Sequence, residues 1–233
     1  MLATLFAKGP KDATKPAVNM LAACVDPIKE FLTRNKALSL LALVVLYKIG
    51  DAYAGSLTIS FLLRGVGFSL TEVGFLNKTI GLIATLFGVF ACGVMMARMS
   101  LYKALLWFGI VQALSNLVYL VLAYTGARYD LMVACIFLEN FGGGLGTAAF
   151  MALLMSLCHH QYTATQYALL SALAAVGRVY IGPLAGYMVE HYGWVDFFVW
   201  SLLISIPGLI LLVLLKNTLQ NAEMDKSAEP QSV

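Results

Sequence analysis

Four ionisable side chains stand deep inside long apolar runs of this sequence: Lys48 and Asp51 in one, Glu139 in a second, Arg178 in a third. A charge at the centre of an apolar span costs at least ~2.5–3.5 kcal/mol on insertion scales, so it persists where it faces water, a partner or a ligand. The chemistry open to these residues is narrow. A guanidinium in a sheltered cavity holds a carboxylate through two parallel N–H bonds, which suits Arg178, with Lys48 as a second cation. A carboxyl group at bilayer depth can pick up and release a proton, and Asp51 and Glu139 are the two available. Two structural alternatives stand beside these readings. Lys48 can pair with Asp51 three residues on, and Glu139 can pair with Arg178 to lock two helices together.

Helical spacing arranges these residues in stripes. Tyr47, Lys48, Asp51, Gly55 and Thr58 fall on one face, Asn77, Gly81, Thr85, Gly88 and Cys92 on another, and Ser171, Ala175, Arg178, Gly182 and Gly186 on a third. The charged positions favour a water-lined cavity, whereas the glycines favour close helix contact. Lys78 lies near the end of its run, within reach of the interface by snorkelling.

The elements carrying these stripes are transmembrane helices. The chain is 61% hydrophobic and 12% charged, with a mean hydropathy of +0.84. A soluble domain carries about a quarter charged residues, so lipid covers much of this surface. Six runs reach the ~20 residues that cross a hydrocarbon core. They are Leu38–Phe61, Val73–Arg98, Leu101–Tyr124, Leu131–Leu157, Thr165–Val189 and Val195–Lys216. Residues 1–36 form an N-terminal segment, 37–217 the six-helix bundle and 218–233 a polar tail, expected to be disordered. Met1–Phe6 is too short for a signal peptide, and Asp26-Pro27 predicts the start of a short amphipathic helix. Six spans put both termini on one side. Lys8, Lys11, Lys15, Lys29, Arg34, Lys36, Arg98, Lys103, Lys216 and Lys226 share it, against Arg64 and Arg128 opposite, which predicts cytoplasmic termini.

Ordered by span, the buried charges read acid with base, base, none, then acid, base, none. Each triplet holds an odd number of spans, so the second runs inverted relative to the first. The expected fold is therefore an all-α, six-helix half of a major-facilitator-type transporter with a 3+3 inverted repeat. The third and sixth spans, free of internal charge, are expected at the lipid-facing periphery, with Gln112, Ser115 and Asn116 as an interhelical hydrogen-bonding patch.

Other chemistries lack their residues. Gly142-Gly-Gly-Leu-Gly146 has no following Lys-Ser/Thr for a phosphate loop, and there is no HExxH zinc helix. His159, His160 and His191 all lie in connecting segments, away from any span serine. Cys24, Cys92, Cys135 and Cys158 are isolated. Neither an enzyme, a cofactor, a bound metal nor a nucleic-acid partner is expected.

Several strings carry a resemblance: Tyr47-Lys-Ile-Gly-Asp51-Ala, Phe61-Leu-Leu-Arg64-Gly-Val-Gly-Phe68, Asn77-Lys-Thr79 and Glu139-Asn-Phe-Gly-Gly-Gly-Leu-Gly-Thr147, followed by Ala164-Thr-Gln166-Tyr-Ala-Leu-Leu-Ser-Ala172 and Gly177-Arg178-Val-Tyr-Ile-Gly-Pro183. In this order they resemble the AmpG family of muropeptide permeases, from about Lys29 to Thr218. The superfamily loop between the second and third spans survives weakly, with Ala97 where an acidic residue is usual. The resemblance implies an inner-membrane carrier that imports anhydro-muropeptides from periplasm to cytoplasm, driven by protons, for peptidoglycan recycling and, in some bacteria, β-lactamase induction. It covers the later six of twelve helices, so a first six-helix half is the expected partner. An inactive fragment, a split or half-size carrier, and a membrane scaffold without transport are the alternatives.

Such a substrate carries sugar hydroxyls and peptide carboxylates. For its binding the expected residues are Arg178 and Lys48 as cations, Tyr47, Tyr167 and Tyr180 as aromatic or hydroxyl partners, and Asn140. For proton coupling they are Asp51 and Glu139.

Overall fold

The computed structural model describes residues 20–221, and every regular element among them is helical. Helix α1 (Met20–Thr33) precedes the spans. The first span is α2 (Ala37–Ser60) with a π turn at Phe61–Gly65. The second is α3 (Leu70–Leu76), a π turn at Asn77–Gly81 and α4 (Leu82–Met96). The third is α5 (Leu101–Thr125), the fourth α6 (Tyr129–Leu157), and α7 (Thr163–Leu214) follows. Ser69 opens the second span with a capping box, its hydroxyl accepting from the Glu72 N–H while Glu72 Oε2 accepts from the Ser69 N–H.

Among the described residues five helices are long and apolar enough to cross a membrane, and the length of α7 is enough for two crossings. Its 52 residues would reach about 78 Å if straight, more than twice the hydrocarbon thickness. The break is Gly193, at φ 83° and ψ 179°, a conformation open essentially to glycine alone. Packing confirms the reversal. Gly177 lies against Val45 and Ile49, and Gly208 against Leu46 and Tyr47, so the two arms of α7 flank the same turn of the first span. The fifth span is the arm before Gly193 and the sixth the arm after it.

Helix pairing has the symmetry of the expected repeat. The second span packs on the fourth through Gly88 and Gly144, and the fifth on the first through Gly177. The third packs on the fourth where Gly142 and Gly146 meet Gln112, and the sixth on the first where Gly50 meets Ser205. The third and sixth meet each other through Gly109 and Leu209 and through stacked Tyr119 and Phe198. Exchanging the two triplets leaves this set of pairings unchanged. Two apolar cores result. One surrounds Leu43, Leu105, Leu153 and Leu212 near α1, and the other surrounds Tyr53, Phe61, Tyr119 and Phe197 at the far end. Lys48, Asp51, Gln112 and Glu139 fall between the two cores on their helices.

Two local expectations change. The helix at Asp26-Pro27 begins earlier, at Met20, and Pro27 lies inside it. The tail is helical again over 216–221, because Leu215 and Leu219 are buried in the core near α1. The stretch Met1–Phe6 and most of the tail lie outside the described residues.

Helix α1 is pinned by a buried amide. Gln166, 2% exposed, donates from Nε2 to the Pro27 carbonyl at 3.0 Å and to Glu30 Oε2 at 2.6 Å, and its oxygen accepts from the His159 N–H at 2.7 Å. Arg34 pairs with Glu30 at 2.7 Å and donates to the Leu157 carbonyl. Burial pushes the Glu30 carboxyl up, but the hydrogen bonds from Arg34 and Gln166 outweigh it and hold the group below its ordinary 4.5. A depressed carboxyl stabilises the fold above its unfolded value, and that contribution is lost as pH falls through the folded one. Protection of the α1 amides, measured against their intrinsic exchange rates at each pH, is therefore expected to fall below about pH 4.5 while the spans stay protected, and Glu30→Gln should abolish that pH dependence.

Candidate functional site

At 1.5 Å per residue, Lys48 lies about 16 Å beyond the start of α2 and Glu139 about 15 Å beyond the start of α6, near mid-depth of a ~30 Å core. Around them the first and fourth spans form the centre of a concave wall. The second span closes one side of it and the fifth the other.

On the side of the second span is a cavity of about 370 Å³. Asp51, Gly55 and Thr58 line it from the first span, Asn77 and Thr85 from the second, and Glu139, Asn140, Gly143 and Thr147 from the fourth. On the side of the fifth span is a cavity of about 210 Å³, where Lys48 and Asp51 face Thr147, Phe150, Tyr167, Ser171 and Arg178. Asp51 and Thr147 belong to both and form the ridge between them.

Lys48 Nζ reaches Asp51 Oδ2 at 2.8 Å and Thr147 Oγ1 at 3.2 Å, and sits 5.8 Å above the Phe150 ring. The other Asp51 oxygen accepts from Nε2 of Gln112, a third-span residue that is 9% exposed. Glu139 accepts from Thr58 Oγ1 at 3.0 Å and from the Tyr119 hydroxyl. The i,i+3 pairing of Lys48 with Asp51 is thus present. The alternative pairing of Glu139 with Arg178 is not, because the two project into different cavities. Among the described residues no carboxylate pairs with Arg178. It is exposed along the open wall.

The remaining expected residues divide. Tyr167 lines the same cavity as Arg178, about three helical turns before it, and Asn140 lies beside Glu139, where its oxygen accepts from Thr85 Oγ1 at 3.3 Å. Tyr47 and Tyr180 do not join them. The Tyr47 hydroxyl turns away from the wall and donates to the Leu105 carbonyl at 2.9 Å, while its ring stacks on Phe150. Tyr180, 76% exposed, lies two residues past Arg178 and so on another face of the fifth span. Gln112, expected only as an interhelical donor, and Thr147 are site residues that residue type alone did not single out. The signal for Gln112 was its place in an otherwise apolar span.

Gly142-Gly-Gly-Leu-Gly146 serves three surfaces at once. Gly144 abuts the second-span backbone, Gly142 and Gly146 leave a notch for the Gln112 side chain, and Gly143 opens onto the larger cavity. Among the described residues there is no cluster of His, Cys, Asp and Glu able to hold a metal ion.

Residues 40–231 match the sequence profile of the Major Facilitator Superfamily. The anhydromuropeptide permease of Escherichia coli K12 is 50% identical over 220 residues, which is 94% of this chain and 45% of the relative. A putative transporter AmpG 4 of Rickettsia felis is 32% identical over 198 residues, covering 85% of this chain and 48% of that protein. A putative transporter AmpG 1 of Rickettsia prowazekii is 31% identical over 177 residues, covering 76% and 40%. The chain spans about half the length of the curated relatives it matches.

Proposed function

Because the chain belongs to the major facilitator superfamily, we propose that it forms the later half of a proton-coupled carrier importing anhydro-muropeptides across a bacterial inner membrane, with both termini in the cytoplasm. The observation that carries this reading is the polar wall at mid-depth, with Lys48 and Arg178 on one side of its ridge and Glu139 on the other. The name of the Escherichia coli relative supplies the substrate class. The basic residues clustered at one end of the bundle, Lys29, Arg34, Lys36, Arg98, Lys103 and Lys216, support the orientation.

In this reading Arg178 receives a peptide carboxylate, since among the described residues its guanidinium has no counter-ion to displace. Tyr167 offers a ring and hydroxyl further along the same cavity, Lys48 is a second cation at the ridge, and Asn140 with Asn77 presents amides to sugar hydroxyls. Asp51 and Glu139 are the carboxylates available for coupling. A first six-helix half supplies the opposite wall, and the apolar face of the second span, with Phe75, Ile83, Phe87 and Phe90 exposed, suits that contact.

The test is uptake of labelled anhydro-muropeptide into cells lacking their own permease, with this chain joined to the first half of its Escherichia coli relative. Losing a charged hydrogen bond costs about 1.5–3 kcal/mol, so Arg178→Ala should lower uptake at limiting substrate by about tenfold to a hundredfold. Arg178→Lys should retain part of it. Uptake indifferent to Arg178→Ala would remove the carboxylate role, and a joined carrier that folds but moves no muropeptide would remove the substrate class.

A further inference from the structure

We infer that the two carboxylates divide their roles: Glu139 gains and loses the proton, while Asp51 stays ionised as the standing counter-ion of Lys48. The division follows from what kind of hydrogen-bonding group faces each one. It rests on the transport reading above for its purpose, and on the local geometry for its chemistry.

Asp51 is met from both sides by groups that only donate. Lys48 Nζ is on Oδ2 at 2.8 Å, and the Gln112 amide NH₂ is on Oδ1. Neither an ammonium nor an amide NH₂ can accept a hydrogen bond. The amide presents its nitrogen to Asp51 and its oxygen to the glycine side, in the notch left by Gly142 and Gly146. A proton added to either oxygen of Asp51 would point at a donor. Other titratable groups around Asp51 are Arg178 and Tyr167 across the smaller cavity, Glu139 across the larger one, and Tyr47 on its own helix. With an ammonium on one oxygen and an amide NH₂ on the other, the ionised form is the one its contacts satisfy.

Glu139 is met by hydroxyls alone, and a hydroxyl donates or accepts as required. Thr58 Oγ1 stands 3.0 Å from Glu139 Oε1 and 3.0 Å from the Ala54 carbonyl of its own helix. It has one hydrogen for these two acceptors. When Glu139 is a carboxylate, that hydrogen points to Oε1. When Oε1 carries a proton, the Thr58 hydrogen turns to the Ala54 carbonyl and the hydroxyl oxygen accepts from the acid. The Tyr119 hydroxyl on Oε2 stays a donor in both states. No heavy atom moves, so both states are satisfied in one fold.

The surroundings of Glu139 fit this exchange. From the first span Asp51 shares its cavity, from the third Tyr119 touches it, on its own helix Cys135 lies one turn back, and the second span contributes the neutral Asn77 and Thr85. No Lys or Arg lines this cavity to fix the charge. Glu139 lines the larger cavity with Gly55 across from its Oε1, so the carboxyl faces that space and its water. The proton passes from a hydronium ion in that water to a Glu139 oxygen and returns to water from it. Thr58 and Tyr119 act as positioning residues.

The test is infrared difference spectroscopy of this chain in phosphatidylglycerol–phosphatidylcholine vesicles, recorded between alkaline and acidic buffer, with folding of each variant checked by circular dichroism. A sheltered carboxyl C=O band is expected to appear on acidification. It should vanish in Glu139→Gln and persist in Asp51→Asn. It should shift in frequency and midpoint in Thr58→Val and Tyr119→Phe, and return to the original position in Thr58→Ser, which keeps the hydroxyl. A band that vanishes in Asp51→Asn and persists in Glu139→Gln would overturn the assignment. So would a chain in which no such band appears, or a band that Thr58→Val and Tyr119→Phe leave unmoved. The signal needs no substrate and no partner half, so failure of muropeptide uptake leaves it intact and the two readings fall separately.

Discussion

Lys48→Met is expected to destabilise the bundle by about 3 kcal/mol and to abolish uptake in the joined carrier. The substitution conserves length and apolar stem but removes the ammonium that satisfies Asp51 Oδ2 at 2.8 Å, donates to Thr147 at 3.2 Å and lies over the Phe150 ring. Stripping one partner from a buried ion pair costs about 3–5 kcal/mol, because the remaining charge stays out of water without compensation. The lower end applies here, since the Asp51 side chain is 33% exposed to the cavities and keeps the Gln112 amide on its other oxygen. Removing both charges should cost much less than removing one. Lys48→Met combined with Asp51→Leu is therefore expected to recover most of the thermal stability in detergent while uptake stays absent. A double variant as unstable as Lys48→Met alone would mean that the lysine stabilises the bundle through Thr147 and Phe150 and not through Asp51.

The charged members of the site were legible because membrane insertion makes each one costly, so an apolar run keeps a charge only for a reason. Lys48, Asp51, Glu139 and Arg178 stood out on that ground, and the i,i+3 spacing of Lys48 and Asp51 already contained their ion pair. The order of those charges gave the inverted arrangement, which the pairing of helices through Gly177, Gly88 and Gly144 bears out. Neutral partners were harder to find. Gln112 and Thr147 carry little insertion penalty, and which cavity they reach depends on the rotation of helices far away in sequence. Residue type alone points to Tyr47 and Tyr180, but the faces of their helices turn them elsewhere, one onto the Leu105 carbonyl and one to the outer surface. The helical return at 216–221 escaped notice for a similar reason. Its polar composition hides Leu215 and Leu219, whose burial depends on a core assembled from α1 and all six spans.

Gly143 and Gly144 are neighbours with opposite expected effects, and together they separate folding from function. A Cβ at Gly144 would stand 2.5 Å from the Thr85 carbonyl oxygen and 3.1 Å from the Val89 nitrogen. A Cβ at Gly88, across the same contact, would collide with the Phe141 carbonyl oxygen. These are backbone atoms of packed helices and have no rotamer to yield, so the second and fourth spans have to separate. Alanine gains about 0.5–1 kcal/mol of helix propensity over glycine. Forcing a methyl into a filled contact costs about 1–3 kcal/mol. Here the collision is with main chain on both helices, so the upper part of that range applies and the overpacking wins. Gly144→Ala is expected to lose about 2 kcal/mol, and Gly144→Leu to prevent a stable bundle. Gly143 has nothing within 4 Å of an added Cβ and faces the larger cavity. Gly143→Ala should therefore leave thermal unfolding in detergent unchanged or raise the midpoint, while its methyl group narrows the space beside Glu139 and Asn140 and lowers uptake. Equal loss of stability in the two alanine variants would show that helix contact is not what the glycine run provides. A stable, fully active Gly143→Ala carrier would show that substrate does not pass along this part of the wall.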